Sequence, residues 1–88
     1  NLQLSRPMPN PCTHWTDFQL TIPKPGRVRL TVYDIRGAEI DILINSYKAA
    51  GRLRVRWQVD SLPSGMYTAV LTATGQTLSR KVCVVRSP

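Results

Sequence analysis

Histidine, cysteine and acid are what this chain has least of. One histidine, two cysteines and five Asp or Glu occur in 88 residues. No CxxC is present, and two distant cysteines with a lone histidine do not make a zinc site. No apolar run approaches the roughly 20 residues that span a bilayer as a helix. Phosphate-loop, EF-hand and Rossmann fingerprints are also missing. The acids Asp17, Asp34, Glu39, Asp41 and Asp60 are scattered rather than paired. Asp34 and Asp60 stand at strand ends, where aspartate bonds its own backbone. His14 lies between Cys12 and Trp15 with no orienting carboxylate near it in sequence, which argues against a Cys–His dyad. The expectation is a protein that is not an enzyme and carries no cofactor and no metal.

Positive charge is abundant. Twelve Lys and Arg give a formal net charge of +7. Such a surface fits an anionic partner, or arginines that keep sheet edges from pairing. Length allows one domain, 1–88, with a leading segment over 1–10. A chain of this size buries only about 60–65% of its unfolded surface. It starts at Asn1, without an initiator Met or a signal peptide. It is therefore expected to be part of a longer polypeptide.

Period-two alternation organises the rest. In Arg52 to Trp57, Leu53, Val55 and Trp57 share one face and Arg52, Arg54 and Arg56 the other. Asp60, Pro63, Ser64 and Gly65 break the pattern; Tyr67, Ala69 and Leu71 resume it. Gly65 is expected in a conformation closed to other residues, with Tyr67 entering the core beside Trp57. Phe18, Leu20 and Ile22 alternate, as do Val28, Leu30 and Val32; the PKPG between them fits a hairpin. Ile40, Ile42 and Ile44 share a face that Leu43 interrupts, Asn45 to Gly51 reads as a loop, and Gly37 as a left-handed turn residue. Leu2 and Leu4 fit a short edge strand, and Pro7, Pro9 and Pro11 forbid a central one. Thr77 to Val85 is the last strand, with Arg86, Ser87 and Pro88 after it. Six or seven strands without a helix mean an all-β sandwich or small barrel.

Arg27, Arg29, Arg52, Arg54 and Arg56 form one basic face if their strands share a sheet. Single-strand nucleic-acid binders interleave exposed aromatics with such residues. Here Trp57 and Phe18 fall inward, so no nucleic acid is expected. Cys12 and Cys83 have two readings, a disulfide in an exported protein or two half-buried free thiols. Pairing is the expectation taken forward, worth roughly 4 kcal/mol by loop entropy.

PNP (Pro9 to Pro11), TDFQLTIPKPGRVRLTVYDIRGAEI (Thr16 to Ile40), AAGRLRVRWQVDSLPSGMYTAVL (Ala49 to Leu71) and RKVCVV (Arg80 to Val85) occur in order. Together they resemble the type IX secretion C-terminal sorting domain, type A, of Bacteroidetes and related bacteria. LPSGMY and VYDIRG carry the resemblance most specifically. The immunoglobulin-like domain of the flagellar hook-capping protein shares part of the pattern. The resemblance implies a seven-stranded immunoglobulin-like antiparallel sandwich. It implies an address that directs an exported cargo protein through the outer-membrane translocon. The cargo passes the periplasm in transit and ends on the cell surface or in the medium.

Implied partners are the translocon with its shuttle proteins, a surface sortase-like peptidase, anionic lipopolysaccharide and an N-terminal cargo domain of the same polypeptide. Gly65 and Tyr67 match the family's glycine-tyrosine corner. Lys81, Val82, Cys83, Val84 and Val85 match its terminal recognition strand, which a partner reads by strand addition or in a groove. The family often has an aromatic where this chain has Cys12. The competing reading is an accessory immunoglobulin-like or fibronectin-like module that spaces domains or binds glycan or protein.

Overall fold

The computed structural model describes residues 1–86; Ser87 and Pro88, read as the closing tail, lie outside the described residues. Seven strands form among the described residues: β1 (Gln3–Leu4), β2 (Trp15–Ile22), β3 (Gly26–Tyr33), β4 (Glu39–Lys48), β5 (Gly51–Gln58), β6 (Gly65–Ala73) and β7 (Gln76–Val84). They make two antiparallel sheets, a three-stranded one in the order β1-β2-β5 and a four-stranded one in the order β4-β3-β6-β7. No helix occurs among the described residues. This is an immunoglobulin-like sandwich, as the family resemblance implied, and it decides between the sandwich and the small barrel that the alternation left open.

The strands form where alternation puts branched and aromatic residues on one face. Phe18, Leu20 and Ile22 of β2 are buried against Val28, Leu30 and Val32 of β3 and Ala69 and Leu71 of β6. The expected β2–β3 hairpin is corrected by the topology, because the two strands lie in different sheets. The PKPG connection crosses from sheet to sheet instead of folding back within one. Alternation and a short turn satisfy either geometry, since both turn the two apolar faces toward one core. The β6–β7 link, in contrast, is a tight hairpin. Thr74 and Gly75 both have positive φ, 51° and 74°, between the paired Ala73 and Gln76. That is the two-residue turn whose twist matches its strands.

β4 departs furthest from its reading. It runs on to Lys48, which pairs with Gly26, through residues expected to be loop. Leu30 opposes Ile44 and Thr31 opposes Ile42, so Leu43 is an extra residue in the ladder. Such a bulge rotates the strand. Ile44 is therefore buried and Ile42 45% exposed beside Thr31 on the outer face, while the half-buried Ile40 is the extra residue at a second register shift, between Val32 and Tyr33. Val55, also expected in the core, is half-buried at an edge. Leu2, Leu4, Cys12, Val59, Ala73, Val82 and Val84 are also buried in the core.

The centre is the pair Trp57 and Tyr67, one from each sheet. Their rings meet edge to face, with centroids 5.6 Å apart and planes at 76°. Both polar tips are satisfied. The Tyr67 hydroxyl donates to the Pro63 carbonyl at 2.7 Å, and Trp57 Nε1–H donates to Asp41 Oδ2 at 3.0 Å. A tyrosine at the start of this strand that bonds a few residues upstream locks the corner between the sheets. Gly65 enters β6 at φ 159°, a positive-φ conformation that residues with a side chain rarely adopt, as expected of it.

Removing the indole leaves a cavity between the sheets. Trp57→Ala should cost about 3–5 kcal/mol in denaturant unfolding, enough to threaten a domain of this size. An unchanged midpoint would take Trp57 out of its central role.

Candidate functional site

The residues that the resemblance singles out divide by face. Tyr67, Val82 and Val84 point into the core, whereas Lys81, Cys83 and Val85 point out. Met66 lies opposite Cys83 and is 42% exposed; Val85 is 44% exposed. Met66, Cys83 and Val85 thus make a small apolar patch on the outer face of β6 and β7, with Lys81 at its rim. The sequence reading passed over Met66. Its outward phase was legible from the alternation of β6, but not its pairing with Cys83.

The edge of β7 is not free where an exposed recognition strand was expected. Cys12 bridges to Val84 in parallel fashion. Its N–H donates to the Cys83 carbonyl and its carbonyl accepts from Val85 N–H, both at 2.9 Å. Asn10 continues this with its side chain. The Cys83 N–H donates to Asn10 Oδ1 at 2.8 Å, and Asn10 Nδ2 donates to the Lys81 carbonyl at 3.4 Å. The amide of the PNP motif thus stands in for a neighbouring strand, which is the physical use of asparagine there. A partner adding a strand at Lys81 to Val85 would have to displace residues 10–12. The side-chain face is open as it stands.

The Cys12–Cys83 disulfide is corrected: both thiols are free. The pleat gives the reason. Cys12 pairs with Val84, so it shares that residue's inward direction and is buried, while Cys83 is one residue out of phase and faces outward. Burial pushes the Cys12 thiol above its ordinary value, and its Sγ–H donates to the Cys83 carbonyl at 3.6 Å.

His14 does find a carboxylate, one that sequence distance concealed: its Nδ1 is 2.8 Å from Asp60 Oδ1. Both side chains are mostly exposed, and the neighbouring Cys12 is turned into the core. Asp34, by contrast, bonds its own turn as expected, accepting from the N–H groups of Arg36 and Ala38. Arg86 closes the end of β7. Its N–H donates to Ser64 Oγ at 2.8 Å, and its guanidinium donates to the carbonyls of Thr13 and Asp60.

The single basic face is also corrected. Arg27 and Arg29 sit on β3, and Arg52, Arg54 and Arg56 on β5, which belongs to the other sheet. The two sets lie on opposite outer faces. Arg29 is bound to Glu39 at 2.8 Å. Arg56 stacks over the Trp15 ring at 3.6 Å and grips Asp17 with two bonds of 2.8 and 3.0 Å. That grip holds the Asp17 carboxyl below its usual range. Backbone donors, first that of Ala38, do the same for Asp34.

A sequence model of one family, the secretion system C-terminal sorting domain, matches residues 8–85. Among solved structures, the chain is similar to dimeric latent PorU from Porphyromonas gingivalis, with a TM-score of 0.65 and 19% identity. The likeness covers 98% of this chain and 9% of that one, and at this identity it carries the fold alone. No curated protein matches the chain.

The two lowered carboxyls fix a pH dependence. A depressed folded-state pKa adds stability above the unfolded value, about 3.9 for Asp, and loses it as pH falls through the folded value. Melting temperature should hold toward pH 5 and fall below about pH 4. Asp17→Asn should shrink that fall; an equally steep acid limb in the variant would mean that the Arg56 grip contributes nothing.

Proposed function

Because the chain belongs to the secretion system C-terminal sorting domain family, we propose that its signal is read on the outward face of β6 and β7, at Met66, Lys81, Cys83 and Val85. The domain is a type IX sorting signal, which marks an exported protein for the cell surface or medium and works with the type IX secretion machinery. The observation that supports the site is the contrast within β7. Its backbone edge is covered by Asn10 and Cys12, while its outward side chains stay accessible. Side-chain reading in a groove fits this contrast better than strand addition.

Gly65, Tyr67, Val82 and Val84 then serve as scaffold. Tyr67 holds the corner, and the two valines seat β7 so that Cys83 between them and Lys81 and Val85 beside them face out. The partners in this reading are the outer-membrane translocon and its shuttle proteins. A surface sortase-like peptidase takes the domain as substrate, so the domain itself is not an enzyme. Anionic lipopolysaccharide is attracted by the net charge of +7, and the cargo domain precedes this one in the same polypeptide.

Deleting β7 would remove Val82 and Val84 from the core, so surface substitutions are the cleaner test. Met66→Asp with Val85→Asp should leave the parent protein in the periplasm while the domain's melting temperature holds within a few degrees. Ile35→Asp, at a turn residue 83% exposed, should export normally. Cell fractionation decides: full surface display of the Met66/Val85 variant would refute the proposed site.

A further inference from the structure

We propose that the free edge of β5 is a docking site for an extended segment of a partner chain in which acidic and apolar residues alternate. The inference is independent of the sorting reading and rests on the backbone of the three-stranded sheet. β5 pairs with β2 along its whole length, Gly51 to Gln58, without a register shift, and among the described residues it has no strand on its other side.

The phase of its hydrogen bonds follows from β2. Asp17 exchanges both main-chain bonds with Met8, at 2.9 and 3.1 Å, and the Gln19 carbonyl accepts from Ser5 N–H at 2.9 Å. Asp17 and Gln19 thus point away from β5. In an antiparallel ladder alternate residues point to alternate sides. It follows that Thr16, Phe18 and Leu20 bond β5, through their partners Trp57, Val55 and Leu53. The N–H and C=O groups of Arg52, Arg54 and Arg56 therefore face the open edge. Among the described residues nothing hydrogen-bonds them there.

The side chains around that edge state what would fit. A residue added directly opposite an arginine in a bonded pair projects to the same outer face. Arg52 and Arg54 have no carboxylate partner among the described residues, whereas Arg56 has Asp17. Acidic residues at alternate positions would supply the missing ones. The positions between them would point toward the interior side, where Leu53 and Val55 are only half-buried. Apolar residues belong there. The sheet order thus leaves room for one more strand, with polarity set on each face.

The other edges are poorer templates. β4 is bulged, β1 is two residues long, and the end of β7 is covered by Asn10 and Cys12. A second copy of this chain is a poor occupant of β5, because an antiparallel β5–β5 pair would set arginine against arginine.

The test is a backbone-amide NMR titration of the labelled chain with a short capped peptide alternating glutamate and valine. The amides of Arg52, Arg54 and Arg56 should shift and gain protection from hydrogen exchange. Arg52→Glu with Arg54→Glu should weaken binding about tenfold or more. A lysine–valine peptide, and a glutamate–valine peptide N-methylated on alternate residues, should leave those amides unchanged. Equal shifts from the N-methylated peptide would mean charge attraction alone and overturn the proposal. So would shifts confined to β4 or β7, self-association through β5, or no shift at all.

Discussion

The edge-to-face contact of Trp57 and Tyr67 holds the two sheets of this sandwich in place. Each residue comes from a different sheet, so the contact fixes the spacing of both. Each ring also ties down a polar atom that burial would otherwise leave costly. The indole reaches Asp41 on β4, and the phenol reaches Pro63 in the corner between β5 and β6. Arg86 then fastens the end of β7 to the same corner through Ser64 and Asp60. The surface proposed as the signal therefore stands on the aromatic pair.

A domain this small has much sheet edge for its core, and each edge is handled differently. The leading segment lies along β2 and then along β7, with Asn10 supplying by side chain what a strand would supply by backbone. β4 is bent by its bulge at Leu43. β5 has neither cover nor bulge, only arginines. Charge keeps like edges apart and leaves the edge open to a strand of opposite sign. One device thus serves both solubility and selectivity.

The local facts were legible in the sequence because alternation reports which way a side chain points. The inward faces of β2, β3, β5 and β6 were readable, as were the left-handed Gly37 and the Trp57–Tyr67 anchor. Which strands share a sheet was not readable. Phe18 and Val28 face one core whether PKPG closes a hairpin or crosses the sandwich. The same ambiguity merged two separate sets of arginines into one stripe. Leu43 was visible as a break in alternation, but its effect, turning Ile42 to the surface, depends on the ladder with β3. The cysteines were close enough in the fold to invite pairing. Only the pleat of β7 against Cys12 sets them on opposite faces. Of the site, Lys81 to Val85 was legible through the family's motif. Met66 required the β6–β7 register, and the cover over the β7 edge required the path of residues 8–12.

The central claim is that the secretion machinery touches the outward side chains of β6 and β7 on an intact sandwich. Site-specific photo-crosslinking in exporting cells tests it most directly, with a photoreactive residue placed in turn at Met66, Val85, Ile35 and Tyr47. The account predicts crosslinks to outer-membrane secretion components from the first two positions and none from the others, which lie at a turn and on β4. Crosslinks of equal yield from all four, or from Ile35 and Tyr47 alone, would contradict it.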